Sequence, residues 1–195
     1  MFSSGTRAGR CILDLFRSHP LFLLFSLYVF RETYGCGADA CRIQGGGNFR
    51  PHYSPHFKEE MGYFSMNGQQ TLSIVSKYAR GAMQNFLPGL ENGLDNLPWP
   101  SRDGDMDDNN DNNRFHIDWV VPHQASAVAL DSLALFGWPD HRILKTLHKY
   151  GNCVSASIPL TLCENLDNGT IQRGDKILLC GTSAGISIGS MLLTY

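Results

Sequence analysis

Charge is the first thing this sequence has little of. Asp, Glu, Lys and Arg make up 17% of its 195 residues, below the roughly 25% of an ordinary soluble domain, so much of its surface is expected to be covered. Neither sign dominates, because 16 Lys and Arg stand against 18 Asp and Glu for a formal net charge of −2. There is no basic field to attract nucleic acid or an anionic membrane surface, and no nucleic-acid partner is expected. Paired cysteines are also absent. Cys11, Cys36, Cys41, Cys153, Cys163 and Cys180 form neither a C-x-x-C pair nor a regular framework, which argues for reduced, mostly buried thiols and a cytoplasmic protein. The longest apolar stretch, Leu21 to Phe30, is broken by Ser26 and falls short of the roughly 18 residues a spanning helix needs, so no membrane span is expected. Nucleotide loops are missing as well: Gly181 to Gly185 has neither the G-x-G-x-x-G spacing nor a P-loop lysine. His52 and His56 lie four apart, but Pro51 and Pro55 break the helix that would align them as metal ligands.

What is present is enough chain for one domain with a real core. Arg7, Arg10 and Arg17 ahead of Leu21 to Phe30 imitate a targeting sequence, yet there is no A-x-A site and the segment runs into the strand-like Leu27 to Phe30. A Gly/Pro-rich linker, Gln44 to Pro55, leads to Leu72, Val75, Ala79, Met83 and Phe86, whose spacing predicts an amphipathic helix closed by Pro88-Gly89. Ser101 to Asn113 holds five Asp and four Asn among 13 residues and reads as a solvated loop. Asp103, Asp105 and Asp107 imitate an EF-hand, but Asp108 and Arg114 occupy the positions of its glycine and bidentate glutamate. Beyond it the pattern predicts a strand at Ile117 to Val121, helices at Gln124 to Phe136, Asp140 to Tyr150 and from Asn152, and strands at Lys176 to Cys180 and Ile186 to Leu193. Asp140 is the expected cap of the second helix, and Pro159 is expected to give the third a kink or an irregular first turn. Alternating strands and helices make this an α/β layered fold with a mixed sheet.

Three places could hold chemistry. His123 follows the carboxyl end of a buried strand, where open α/β sheets place ligands, although a lone histidine is more often structural. Asn152 follows Gly151 at a helix start, where an ordinary N-cap is the simpler reading. The turn from Gly181 to Gly185 either presents N–H groups to an oxyanion or merely connects two paired strands.

Asp118-Trp119-Val120-Val121-Pro122-His123-Gln124-Ala125, Tyr150-Gly151-Asn152 followed by Ser155 to Pro159, Arg173-Gly174-Asp175 and the terminal Gly-rich strand pair together resemble one family. It is the β-ketoacyl-acyl-carrier-protein synthase III family of the thiolase superfamily, and specifically its C-terminal half. Tyr34 to Asp39 with Gly45 to Gly47, and Met66-Asn67-Gly68, resemble upstream family segments. On this resemblance the chain divides into a divergent or truncated segment at 1–29, a strand and linker at 30–65, and the family's C-terminal domain at 66–195 with the acidic loop 101–113 inserted.

The resemblance implies an acyltransferase of fatty-acid or related ketide synthesis, with acyl-CoA and malonyl-acyl-carrier-protein as substrates and no cofactor. It assigns the family's histidine to His123 and its asparagine to Asn152, both donors to an enolate oxygen, and its oxyanion turn to Ala184 and Gly185. The N-terminal half bearing the nucleophilic cysteine has no counterpart in these residues. Cys41 falls where the family is commonly aliphatic and is followed by Arg42-Ile43-Gln44 and three glycines, unlike the helix start that lowers a thiol pKa. A basic residue that the family uses to dock the carrier protein is Val128 here. The expected partners are acyl carrier protein, CoA thioesters and a separate N-terminal-half polypeptide or a second copy. Three readings stay open: an incomplete synthase, a half-site subunit needing a cysteine-bearing partner, and a truncated product without function.

Overall fold

A computed structural model describes residues 25–48, 50–98 and 114–195. The targeting-like segment before Phe25, Cys11, and the acidic loop with its EF-hand imitation lie outside the described residues. The strands are β1 (Phe25–Thr33), β2 (Cys41–Ile43), β3 (Phe64–Met66), β4 (Leu97–Pro98), β5 (Arg114–Phe115), β6 (Trp119–Pro122), β7 (Lys176–Ser183) and β8 (Ser187–Thr194). The α-helices are α1 (Gly68–Phe86), α2 (Ala127–Asp131), α3 (Leu147–Tyr150) and α4 (Ser157–Asp167). Contacts divide the chain into two compact units: the described residues up to Phe30 with 83–181 and 189–195, and residues 31–82 with 182–188.

A four-stranded sheet in the order β1-β8-β7-β6 organises the first unit. β6 and β7 are parallel, with Val120 opposite Leu178 and Val121 opposite Leu179; this demands a crossover, and the intervening residues supply α2, α3 and α4. β7 and β8 are neighbours joined by residues 184–186 alone, a link that only an antiparallel pair allows. Alternate strand residues feed opposite faces. Val120, Leu178, Cys180 and Leu192 pack on one side with Met83, Phe86 and Trp138. Val121, Ile177 and Leu193 pack on the other with Ile158, Leu162 and Leu166 of α4. The result is a helix–sheet–helix layering.

In the second unit β2 and β3 pair antiparallel, Ile43 opposite Phe64. Tyr34 and Ile186 exchange backbone bonds of 2.7 and 3.0 Å. α1 begins at the Asn67 side chain, whose Oδ1 accepts from Gln70 N at 3.0 Å. Its periodic face is only partly covered: Ala79, Ala82, Met83 and Phe86 are buried, but Leu72 is 41% exposed.

Several predicted elements are shorter than their sequence patterns. The stretch from Gln124 to Phe136 is not one helix; Ser126 Oγ caps α2 by accepting from Ala129 N at 3.2 Å, and a 3₁₀ segment follows at Ser132–Phe136. Asp140 to Tyr150 is a 3₁₀ turn at Asp140–Arg142, an extended link and then α3. The link is extended because buried Ile143 bridges Val120 and Leu144 N donates to Val120 O at 2.9 Å, which extends the sheet edge. Asp140 caps nothing, since Pro139 holds the N-cap position and the Asp140 carboxylate takes Lys145 Nζ at 2.5 Å. The third helix starts at Ser157 rather than Asn152, after a 3₁₀ turn at Val154–Ala156. Pro159 is then its third residue, where no N–H is needed, and the irregular start expected there is the 3₁₀ turn that precedes the helix. Among the cysteines, Cys41, Cys163 and Cys180 are buried, Cys153 is half-buried and Cys36 is exposed.

Candidate active site at the end of β6

β6 ends in Pro122, and its buried apolar run delivers His123 to the carboxyl edge of the sheet. His123 N donates to Cys180 O at 2.8 Å, carrying the β6–β7 pairing one residue further. The neighbouring strand must be bare at this level: a Cβ on Gly181 would stand 3.0 Å from His123 Cβ. The imidazole is half-buried, and burial pushes its pKa below the ordinary 6.5. It therefore stays neutral near physiological pH, with one N–H to donate and no charge of its own.

Asn152 reaches the same segment from the other side. α3 closes at Gly151 (φ +67°), a left-handed turn that suits glycine. Asn152 Nδ2 then donates to Ala125 O at 3.3 Å, while Val154 N donates to Asn152 Oδ1 at 2.9 Å. These bonds define the carboxamide: the oxygen is occupied by backbone N–H, and the NH₂ group donates to Ala125 O with one hydrogen to spare. Val154, which donates that bond, sits at φ +53°, a rare backbone for a β-branched residue. Asn152 is exposed, and the start of α4 anchors the residue after it, with Cys153 N donating to Ser157 Oγ at 3.1 Å.

His123 and Asn152 are thus brought to one backbone segment. Ala184 and Gly185 lie in the other compact unit, in the turn after β7, Ala184 exposed and Gly185 at φ +122°. Cys41 lies in β2, buried, with Sγ 3.3 Å from Thr71 Oγ1. No described cysteine stands at the start of an α-helix, and burial pushes the Cys180 thiol up to about 12. Val128 is 65% exposed on α2. The motif residues Asp118 and Asp175 serve as sheet staples: Asp118 Oδ2 accepts from Lys176 N, and Asp175 Oδ2 from Trp119 Nε1, each at 2.8 Å. Among the described residues, no helix is long and apolar enough to cross a membrane, and no three His, Cys, Asp or Glu side chains cluster to hold a metal ion.

One residue at this site carried no sequence signal for what it does. Gln124 reads from sequence as the first residue of a helix, but its side chain is buried and bonded to the backbone on both sides of the site.

Residues 108–195 match the family described as 3-oxoacyl-[acyl-carrier-protein] synthase III, C terminal. A β-ketoacyl-[acyl-carrier-protein] synthase III of Rickettsia bellii is 42% identical over 137 residues, covering 69% of this chain and 39% of that protein. Its counterpart in Vesicomyosocius okutanii is 28% identical over 178 residues, covering 83% and 50%. The chain therefore spans half or less of the length of these curated relatives. Solved structures of 3-oxoacyl-[acyl-carrier-protein] synthase III from Aquifex aeolicus and of the Thermus thermophilus β-ketoacyl synthase III share the fold. The first has a TM-score of 0.62 at 21% identity, over 88% of this chain and 45% of the other. The second has a TM-score of 0.62 at 23% identity, over 89% and 47%. With its motifs, its mixed sheet and its matched length in agreement, this chain carries, over residues 108–195, the C-terminal domain of the 3-oxoacyl-[acyl-carrier-protein] synthase III family.

Proposed function

We propose that this chain provides the malonyl half of a decarboxylative Claisen condensation in fatty-acid or related ketide synthesis. A malonyl thioester loses its carboxylate as carbon dioxide, and the electron pair of the broken C–C bond moves into the thioester carbonyl. The enolate oxygen is met by two neutral donors, the His123 imidazole N–H and the Asn152 Nδ2–H. The carbanion then takes a proton from water to give an acetyl thioester, or attacks an acyl-cysteine thioester and expels the thiolate to give a 3-oxoacyl product. The observation that supports this reading is the fixed carboxamide of Asn152, whose oxygen is held by Val154 N and whose NH₂ donates to Ala125 O, two residues along the chain from His123. A neutral imidazole suits the role, since an imidazolium would instead hold the malonyl carboxylate by ion pairing and oppose its loss. Ala184 N–H is assigned to the acyl-transfer oxyanion of the same cycle.

Malonyl-CoA conversion to acetyl-CoA by the purified chain tests the reading. Turnover above the buffer rate is expected, and His123→Ala or Asn152→Ala should each lower it about 10²- to 10³-fold, the usual loss for one such donor. Wild-type turnover no faster than buffer, or variants as fast as wild type, would contradict it.

A second reading is favoured by the lack, among the described residues, of a cysteine at an α-helix start. In it the chain is a half-site subunit that gains the acyl-accepting cysteine from a partner polypeptide. Adding a cysteine-bearing N-terminal half should then switch on 3-oxoacyl product formation that this chain does not support by itself.

A further inference from the structure

We infer that Gln124 is a positioning residue that holds His123 and Asn152 in one geometry; the inference rests on the proposed reading only for what that geometry does. Gln124 is 1% exposed and every hydrogen-bonding capacity of its amide is used. Nε2 donates to Pro122 O at 2.9 Å and to Leu144 O at 3.2 Å. Oε1 accepts from Thr146 N and Leu147 N, both at 3.0 Å. A reversed amide would set NH₂ against two N–H groups and oxygen against two carbonyls, so the orientation is unique.

The need for this side chain arises from Pro122. Val120 and Ile143 form a parallel bridge, with Leu144 N on Val120 O at 2.9 Å. Along a parallel ladder the donor next due to face Leu144 O is the N–H of residue 122. Proline has none. Gln124 Nε2 takes its place and carries the ladder past the end of β6, while Oε1 accepts from the N-cap Thr146 and from Leu147, the first residue of α3, whose N–H a helix start leaves without a partner. The contacts then close on themselves. α3 is one turn long and ends at Gly151, Asn152 comes next, and Asn152 Nδ2 returns to Ala125 O, the residue beside Gln124. Thr146 Oγ1 is pinned to Thr161 Oγ1 of α4 at 2.5 Å, so the loop has a fixed side. His123 precedes Gln124 directly, so releasing the amide frees both donors together.

Gln124→Met keeps the volume and removes all four bonds, and in Gln124→Glu a neutral carboxyl group keeps the acceptor and one donor. The spectroscopic readout is the ¹H–¹⁵N side-chain amide pair of Asn152, identified by its loss in Asn152→Ala. It should move toward solvent-exposed values in Gln124→Met and lie between in Gln124→Glu. With malonyl-CoA as substrate, kcat should fall about a hundredfold in Gln124→Met with KM unchanged, as misplacement of a reacting group predicts. An Asn152 pair that stays at its wild-type position in a folded Gln124→Met overturns the inference, whatever happens to Tm. If that pair moves while wild type shows no turnover, positioning stands and the proposed function fails. If neither variant folds, hydrogen exchange of the wild-type chain decides: slow Thr146 and Leu147 amides support the clamp, and fast ones overturn it.

Discussion

Val154 and His123 show how differently single residues contribute. Val154 is 72% exposed and holds φ +53°, so it loses backbone energy without gaining burial. The left-handed region costs an L-residue about 1–2 kcal/mol, and asparagine tolerates it best after glycine. Val154→Asn should therefore stabilise the fold by about 1 kcal/mol in chemical denaturation, with the Asn152 bond kept because it uses the backbone. His123 makes the opposite kind of contribution. Folding depresses its pKa below 6.5 by burial, so as pH falls through about 6.5 the unfolded chain binds the proton first and stability declines. Thermal melts across that range should show a shallower acid slope for His123→Asn than for wild type. His123 was legible in the sequence because it follows a short apolar run at a strand's carboxyl end. Gln124 was not, because only the approach of residues 144–147 gives its amide four partners. The expectation of mostly buried thiols fits the described cysteines, among which only Cys36 is exposed, and nothing in its neighbours' periodicity marks it as the exception.

Elements were legible where one periodicity ran uninterrupted and illegible where tertiary partners competed with it. β7, β8 and α1 follow their patterns, whereas the stretch from Asp140 to Tyr150 does not, since Ile143 and Leu144 gain more from the edge of β6 than from a continuous helix. In α4, Pro159 stands in the first turn, so Pro159→Ala should change stability by less than about 0.5 kcal/mol, against about 3 kcal/mol for proline in a helix interior. Trp138 tests the first face of the sheet. It is fully buried, and Nε1 donates to Leu90 O at 2.9 Å. Trp138→Phe keeps an aromatic ring but orphans a buried carbonyl and opens space, for an expected loss of about 2–4 kcal/mol by denaturant titration.

At the scale of the molecule, the low charge fraction predicts extensive covered surface, while the β2–β3 pair leaves three large apolar side chains open. Ile43, Phe64 and Met66 share one face of the β2–β3 pair and are 57%, 62% and 59% exposed. Phe64→Thr keeps a β-forming residue and removes a ring that buries little, so it should reduce binding of a hydrophobic dye while costing no more than about 1 kcal/mol of stability through its cross-strand pair. Native-state maleimide labelling with mass spectrometry should modify Cys36 and spare Cys180, whose thiol burial holds near 12. By itself, the sequence determined the α/β class and the order of the long elements, because hydrophobic period is a local property of the chain, while the choice of His123 and Asn152 as side chains to test came from the resemblance of the motifs around them. Only the tertiary structure decided which way the Asn152 carboxamide faces, where the helices between β6 and β7 stop, and that Gln124 binds them to the strand. Each of those depends on backbone groups brought together from distant positions, and on a donor that Pro122 cannot supply.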